Sequence, residues 1–218
     1  RIAGQINLEW QGLKNTPFQI RCNPEMAPYI EGIVTDPANA TLVPYGLDSG
    51  GVRRNVWTWN DQWPLTAKGV PSVYFVNKDD AGTYRGAWYH TNYDDLSLID
   101  WKYIGSSAKL FRRVHKGLDQ GLLPYDFEAR ATALADSVDA DGLVAAGADT
   151  KLVSQLEWRI ERFATAAAHW TARRSLVNTG QYGKVNARLM EAERIINSSM
   201  TALDQWDGAC YPHSQAAN

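Results

Sequence analysis

The sequence predicts an α/β fold in two parts: a sheet-bearing first half and an all-helical second half. Apolar, β-rich runs bounded by Gly, Pro and Asn lie before residue 101, and an apolar period of 3.6 residues takes over after it. The strands are also few, which marks the sheet as partial.

The elements follow in order. "RIAGQINLEW" (1–10) reads as a short strand. "NPEMAPYIEGIV" (23–34) predicts a short helix with Pro24 near its start. "ATLVPY" (40–45) is a weaker strand, and "LDSGGVRRNVWTWNDQWPL" (47–65) a Gly- and Asn-rich loop carrying aromatics. "GVPSVYFV" (69–76) is the clearest strand, placed behind a Gly and before Asn77. Beyond it, Ile104, Ala108, Phe111, His115 and Leu118 form one helical stripe, closed by Gly121 and Pro124. Phe127, Ala131, Leu134 and Val138 form a second, and Leu152, Leu156, Ile160, Phe163 and Ala167 a third. Val185, Leu189, Ile196 and Leu203 mark a fourth, expected to be the longest helix. The small-residue stretch 139–149 is expected to be a loop between subdomains.

This tally has a physical consequence. Sheets usually hold about 4–6 strands, so two or three leave "SVYFV" without cover on its buried faces. The chain is therefore expected to be part of a larger domain. Its start, at "RIAGQINLEW" without Met and without a signal peptide, reads as a strand interior and points to a fragment or a processed product.

Composition bounds the function classes. With 44% hydrophobic and 21% charged residues, the 218-residue chain is ordinary globular sequence, enough for one large domain or two small ones. A formal net charge of -2 gives no electrostatic footprint for nucleic acid or an anionic membrane. Six of the nine tryptophans, Trp10, Trp57, Trp59, Trp63, Trp88 and Trp101, fall in the first half, where they suit core packing, a ligand cleft or an interface. Cys22 and Cys210 leave no Cys-x-x-Cys motif, and a bridge between them stays open. No apolar run reaches the ~18 residues of a membrane span. No phosphate-binding Gly loop, Gly-x-Ser-x-Gly elbow or His-Glu-x-x-His helix is present. Of the histidines, His115 and His169 lie in apolar helical contexts and read as core. His90, in "GAWYHTNYDDL" (86–96), is either a hydrogen-bonded loop residue or a metal ligand.

Three segments settle which reading to carry forward: "GQINLEWQG" (4–12), "NDQWPLTAKGVPSVYF" (60–75) and "YHTNYDDLSLID" (89–100). In this order they resemble the zinc-dependent peptidases of the glutamate carboxypeptidase and transferrin receptor family, which includes many bacterial aminopeptidases. The first is similar to that family's strand ending in Asn-Leu-Asp, whose acidic residue binds zinc. The second resembles its Ser-Asp-His-x-Pro-Phe segment with the Gly-Val-Pro strand, and the third its His-Thr-x-x-Asp segment, source of the last zinc ligand. The resemblance continues through "LPYDF" (123–127) and "VNARLMEAERIINSSM" (185–200) to "YPHSQ" (211–215), similar to the helical dimerisation domain of the larger members.

The resemblance implies the C-terminal strands of a mixed-sheet zinc-peptidase domain over residues 1–118 and a helical dimerisation-type domain over 119–218. It implies a two-zinc site hydrolysing peptide or amide bonds through metal-activated water. His90 and Glu9 would be metal ligands, one for each zinc, and Tyr89 the catalytic donor to the developing oxyanion. Asn60, Asp61 and Trp88 would line the substrate pocket, and Asp94 and Asp95 would serve as helix-start charges or as supports for the His90 ring. Only the last two of the family's ligand positions fall within this sequence. The other ligands and the general base are therefore expected from an N-terminal portion, as a separate chain or a lost segment. Glu9 stands where the family has Asp, and Gln62 where many members have His. The arginines that grip acidic side chains in the glutamate-specific members have no counterpart in "GVPSVYFV", so an acidic substrate is not implied. A homodimer through the helical domain and an extracellular or periplasmic location are also implied. The sequon at Asn39 leaves the location open, and His213 is placed near the cleft or a partner subunit. The alternative is a non-catalytic, receptor-like or assembly subunit that uses the same fold for association.

Overall fold

The computed structural model describes residues 2–56, 60–77 and 88–204, with side chains through Ser198. The expectations for Trp57, Trp59, Cys210, His213 and the side chain of Leu203 lie outside the described residues. Strands β1 (Gln5–Glu9), β2 (Phe18–Cys22), β3 (Leu47–Arg53) and β4 (Ser72–Asn77) form one sheet in the order β1-β4-β2-β3. β4 runs parallel to β1 and antiparallel to β2, while β3 runs parallel to β2, so the sheet is mixed. The α/β class expected from the sequence is observed.

The strand inventory differs from the sequence reading in three places. "ATLVPY" is not a strand: residues Pro37–Leu42 form a 3-10 turn, capped by the Asp36 carboxylate accepting from Ala38 N. The Asp-Pro start offers this segment a ready helical cap, which outweighs its few β-formers. β3 occupies part of the expected loop. It is held by neighbours and not by propensity, since the Asp48 carboxylate accepts from Gln19 on β2 and pairs with Arg53 at 2.8 Å. β2 is a fourth strand without period-2 patterning, because Phe18, Gln19, Ile20 and Cys22 are all buried between β4 and β3. Buried on both faces, such a strand shows no alternation to read.

β4 is buried at all six positions. Around it, Phe18 packs edge-to-face on Phe75 at 6.1 Å and on Tyr103 at 5.2 Å, and Phe75 meets Phe111 at 5.1 Å. Full burial of rings such as Phe18 and Phe75 contributes roughly 1.5–3 kcal/mol each. The helix predicted at 23–34 is present as a turn at Pro24–Met26 followed by α1 (Ala27–Val34). A short helix, α2 (Trp63–Thr66), precedes β4.

Helix α3 (Trp101–Asp119) is capped by Asp100, whose Oδ1 accepts from Lys102 N and Tyr103 N. Its buried face is Tyr103, Ser107, Leu110 and Val114, one residue behind the predicted stripe. Ile104, Phe111 and Leu118 flank that face, and His115 is exposed, not core. Helices α4 (Phe127–Ser137), α5 (Ala140–Ala145), α6 (Thr150–Arg174) and α7 (Tyr182–Asp204) complete the described chain. α5 replaces the expected loop, because Asp139 caps it by accepting from Gly142 N. Among the described residues α6, at 25 residues, is longer than α7, at 23. Leu152 is exposed and its neighbour Val153 is the buried residue at the start of α6, while His169 faces outward. The helical half is stitched to the rest by Arg174, which donates to the carbonyls of Tyr125 and Leu123 at 2.9 and 2.7 Å. Asn186 of α7 accepts from Leu123 N and donates to Gly121 O. One hydrophobic core, running from Phe18 and Phe75 to Phe127, Ala167 and Leu189, continues across residues 118 and 119. Cys22 is a buried free thiol within it. No helix among the described residues is long and apolar enough to cross a membrane.

Candidate active site

The site is built at the C-terminal end of β1. Strand alternation places Asn7 and Glu9 on one face, and the parallel register sets Tyr74 of β4 opposite Asn7. The Glu9 carboxylate is held at both oxygens: Asn7 Nδ2 donates to Oε1 at 3.1 Å and the Tyr74 hydroxyl to Oε2 at 3.0 Å. Asn7 is steadied in turn by Gln62, whose Oε1 accepts from Asn7 Nδ2 at 2.7 Å. Gln62 is itself fully buried, and its backbone carbonyl accepts from Gln5 Nε2 at 2.7 Å. Burial pushes the Tyr74 phenol well above its ordinary value, and the Glu9 charge beside it adds to that. The hydroxyl therefore stays protonated and remains a donor to Glu9.

The chain then turns sharply. Trp10 takes a left-handed conformation at φ 51°, which aims its ring at the segment carrying the candidate histidine. The Trp10 and Tyr89 rings meet edge-to-face at 5.1 Å. Tyr89 in turn stacks on the His90 ring, with centroids 3.8 Å apart and planes 24° from parallel. His90 also sits in the left-handed region, at φ 61°. Among the described residues only Trp10, Asn15 and His90 do so without being glycine, and two of the three belong to this corner. Left-handed backbone at a residue other than Gly or Asn is held only where surrounding contacts impose it, and it clusters at functional sites.

The remaining expected site residues are placed as follows. Asn60 lies beside the Tyr74 hydroxyl, Asp61 is exposed and Trp88 is half-buried. The Trp88 carbonyl accepts from Thr91 Oγ1 at 2.6 Å, closing the turn that carries Tyr89 and His90. Asp95 caps the next turn by accepting from Ser97 N at 2.7 Å, and this hydrogen bond holds its carboxyl below its usual value. Asp94 is exposed.

The structure thus brings the Glu9 segment and the Tyr89–His90 segment together through Trp10. Asn7, Tyr74 and Trp10 were not singled out from the sequence for these roles. Period-2 spacing from Glu9 could have flagged Asn7, whereas Tyr74 enters only through the β1–β4 register. A carboxylate with a free lone pair on each oxygen and an imidazole are donors that suit zinc in kind. In number they do not complete a centre, and no group of three or more metal-binding side chains occurs among the described residues.

A comparison with curated proteins finds no match. A family model does match, that of peptidase family M28, over residues 1–115, which span the whole sheet, the Glu9 strand and the Tyr89–His90 turn. The chain belongs to peptidase family M28.

Proposed function

We propose that this chain forms the C-terminal part of a two-zinc peptidase, acting on peptide or amide bonds. Glu9 and His90 would supply one ligand to each metal ion. The observation that carries this reading is the Trp10–Tyr89 contact, which sets the two donor-bearing segments side by side. When bound, zinc would polarise the scissile carbonyl and lower the pKa of a water to near neutrality.

The chain's own residues do the rest. Tyr74 and Asn7 hold the Glu9 carboxylate in orientation, one donor on each oxygen. The Tyr89 ring backs the imidazole of His90. Its hydroxyl is assigned to the oxyanion, where a pre-placed donor is worth more than in water. Trp88, Asn60 and Asp61 form the wall against which the substrate lies. A catalytic zinc takes about three protein ligands, so the other ligands and the general base come from residues outside this sequence. The helical region beyond residue 118 is assigned to homodimer formation, and the protein to an extracellular or periplasmic setting, as in the larger members the sequence resembles.

Zinc content of the full-length polypeptide, measured by atomic emission after dialysis, tests this reading. Two zinc ions per chain are expected, falling on Glu9→Ala or His90→Ala substitution with the fold intact. Full retention in both variants would overturn it. An absence of zinc at every concentration would favour the receptor-like alternative.

A further inference from the structure

At the other end of β4, far along the strand from Glu9, lies a buried polar cluster that the proposed chemistry does not use. Glu25, Arg130, Glu193, Asn197 and Asn23 are all fully buried, and they come from four places: the Asn23–Met26 turn, α4 and two successive turns of α7. Arg130 NH1 lies 3.5 Å from Glu25 Oε2. The Asn197 amide donates to Glu193 and lies 3.5 Å from Glu25 Oε1, while its oxygen accepts from Asn23 Nδ2 at 2.9 Å. Asn23 Oδ1 accepts from Ser72 N, the first residue of β4, at 2.7 Å. The backbone of Glu25 also accepts from Asp126 N, the cap residue of α4.

Charge balance sets the protonation state. The Glu25 and Glu193 carboxyls flank the same Asn197 amide beside Arg130, all of them buried, and two buried carboxylates against one guanidinium leave a charge uncompensated unless one carries a proton. With one carboxylate, one carboxylic acid and one guanidinium the cluster is neutral, which is the state a dry interior tolerates. We propose that Glu25, Glu193 and Arg130 form a proton-dependent latch, in which one proton on the carboxyl pair holds α7 onto the sheet and its loss to solvent loosens that helix. Without the proton two negative charges face one positive charge, all of them desolvated.

The direction of the pH effect follows from burial. Burial first, then the charge and hydrogen bond of Glu25, push the Glu193 carboxyl well above the usual carboxylate range. In the unfolded chain it ionises near ~4.3. The native state therefore binds more protons above that value, and stability falls as pH rises toward the folded value. The other titratable groups facing the pair are Tyr125, just before α4, and Cys22, at the end of β2. Burial raises both above their ordinary values, so Arg130 is the neighbour that carries charge through this window.

Hydrogen exchange of the α7 amides, followed by mass spectrometry on the full chain with any polypeptide that co-purifies, tests the latch. Wild type and Glu193→Gln are compared with each other at pH 4 and again at pH 9. Equal protection is expected at pH 4, where the carboxyl is largely protonated in the closed and the open state alike and the amide mimics it. At pH 9 the wild-type helix is expected to open at least about ten-fold more than the variant. Equal opening at pH 9, or a variant less protected at both pH values, would overturn the proposal. Glu25→Gln serves in the same way if Glu193→Gln does not fold. Failure of both neutral amides to fold would also overturn it, because each keeps the shape of the protonated pair.

Discussion

The Tyr74 hydroxyl donates to the Glu9 carboxylate across 3.0 Å, from the strand next to the one that carries the acid. Together with Asn7 on the other oxygen, this fixes the Glu9 head group before any partner approaches it. Groups that orient a metal ligand typically set 10–100-fold of metal affinity. Tyr74→Phe should therefore weaken zinc binding by about ten-fold or more, read by competition with a chromophoric chelator. Its melting temperature should stay within a few degrees, because the ring remains packed. Unchanged affinity would remove the positioning role from Tyr74.

The oxyanion role proposed for Tyr89 is separable from metal binding. Loss of one oxyanion donor typically costs about 10²–10³ in kcat. Tyr89→Phe keeps the ring against Trp10 and His90, so zinc content should be unchanged. On a peptide amide substrate kcat should fall by about 100-fold, while KM stays within about two-fold. Such a split is expected of a contact made only in the transition state. An equal change in KM and none in kcat would assign Tyr89 to ground-state binding.

Gly69 links the turn before β4 to α7. Its φ is +89°, and an added Cβ would stand 2.5 Å from the Arg194 carbonyl oxygen, a backbone atom that cannot rotate away. Gly69→Ala combines left-handed strain with this clash, so a cost of about 2 kcal/mol or more is expected. For a chain of this size that is ~4–8 °C in melting temperature. Calorimetry showing no shift would mean that α7 moves freely against the turn.

Asp48 should give β3 an acid-sensitive contribution. Burial pushes its carboxyl upward, but hydrogen bonds from Gln19 and Arg53 outweigh this and hold it below its usual value. A depressed carboxyl stabilises the fold above its unfolded pKa near ~3.9, and that contribution fades as pH falls through the folded value. Asp48→Asn should thus cost about 1–3 kcal/mol at pH 7 and clearly less at pH 3. Parallel melting curves for the two proteins from pH 7 to pH 3 would contradict this.

Legibility differed by element for physical reasons. β4 and α1 were readable because "GVPSVYFV" and "NPEMAPYIEGIV" carry local signals: β-formers between breakers, and Pro at a helix start. β2 and β3 were not, since Gln19, Asp48 and Arg53 are strand residues only by virtue of one another. His115 and His169 were misjudged as core because helical periodicity gives the width of an apolar face better than its centre. On α3 the buried face is displaced by one residue, a rotation of about 100°.

At the site, the order of Glu9, the Gly-Val-Pro strand and His90 was written in the chain, and with it the likeness to a peptidase family that the match over residues 1–115 bears out. Residue types and their order are local properties, and so sequence alone determined the α/β class, the helical second half and the candidate donors. The contacts that would make those donors useful span tens of residues. Tyr74 reaches Glu9 through strand register, Trp10 reaches Tyr89 through a left-handed turn, and Asn197 reaches Asn23 across the core. Tertiary structure alone decided these, because each depends on which surfaces are excluded from water together and not on any neighbour along the chain.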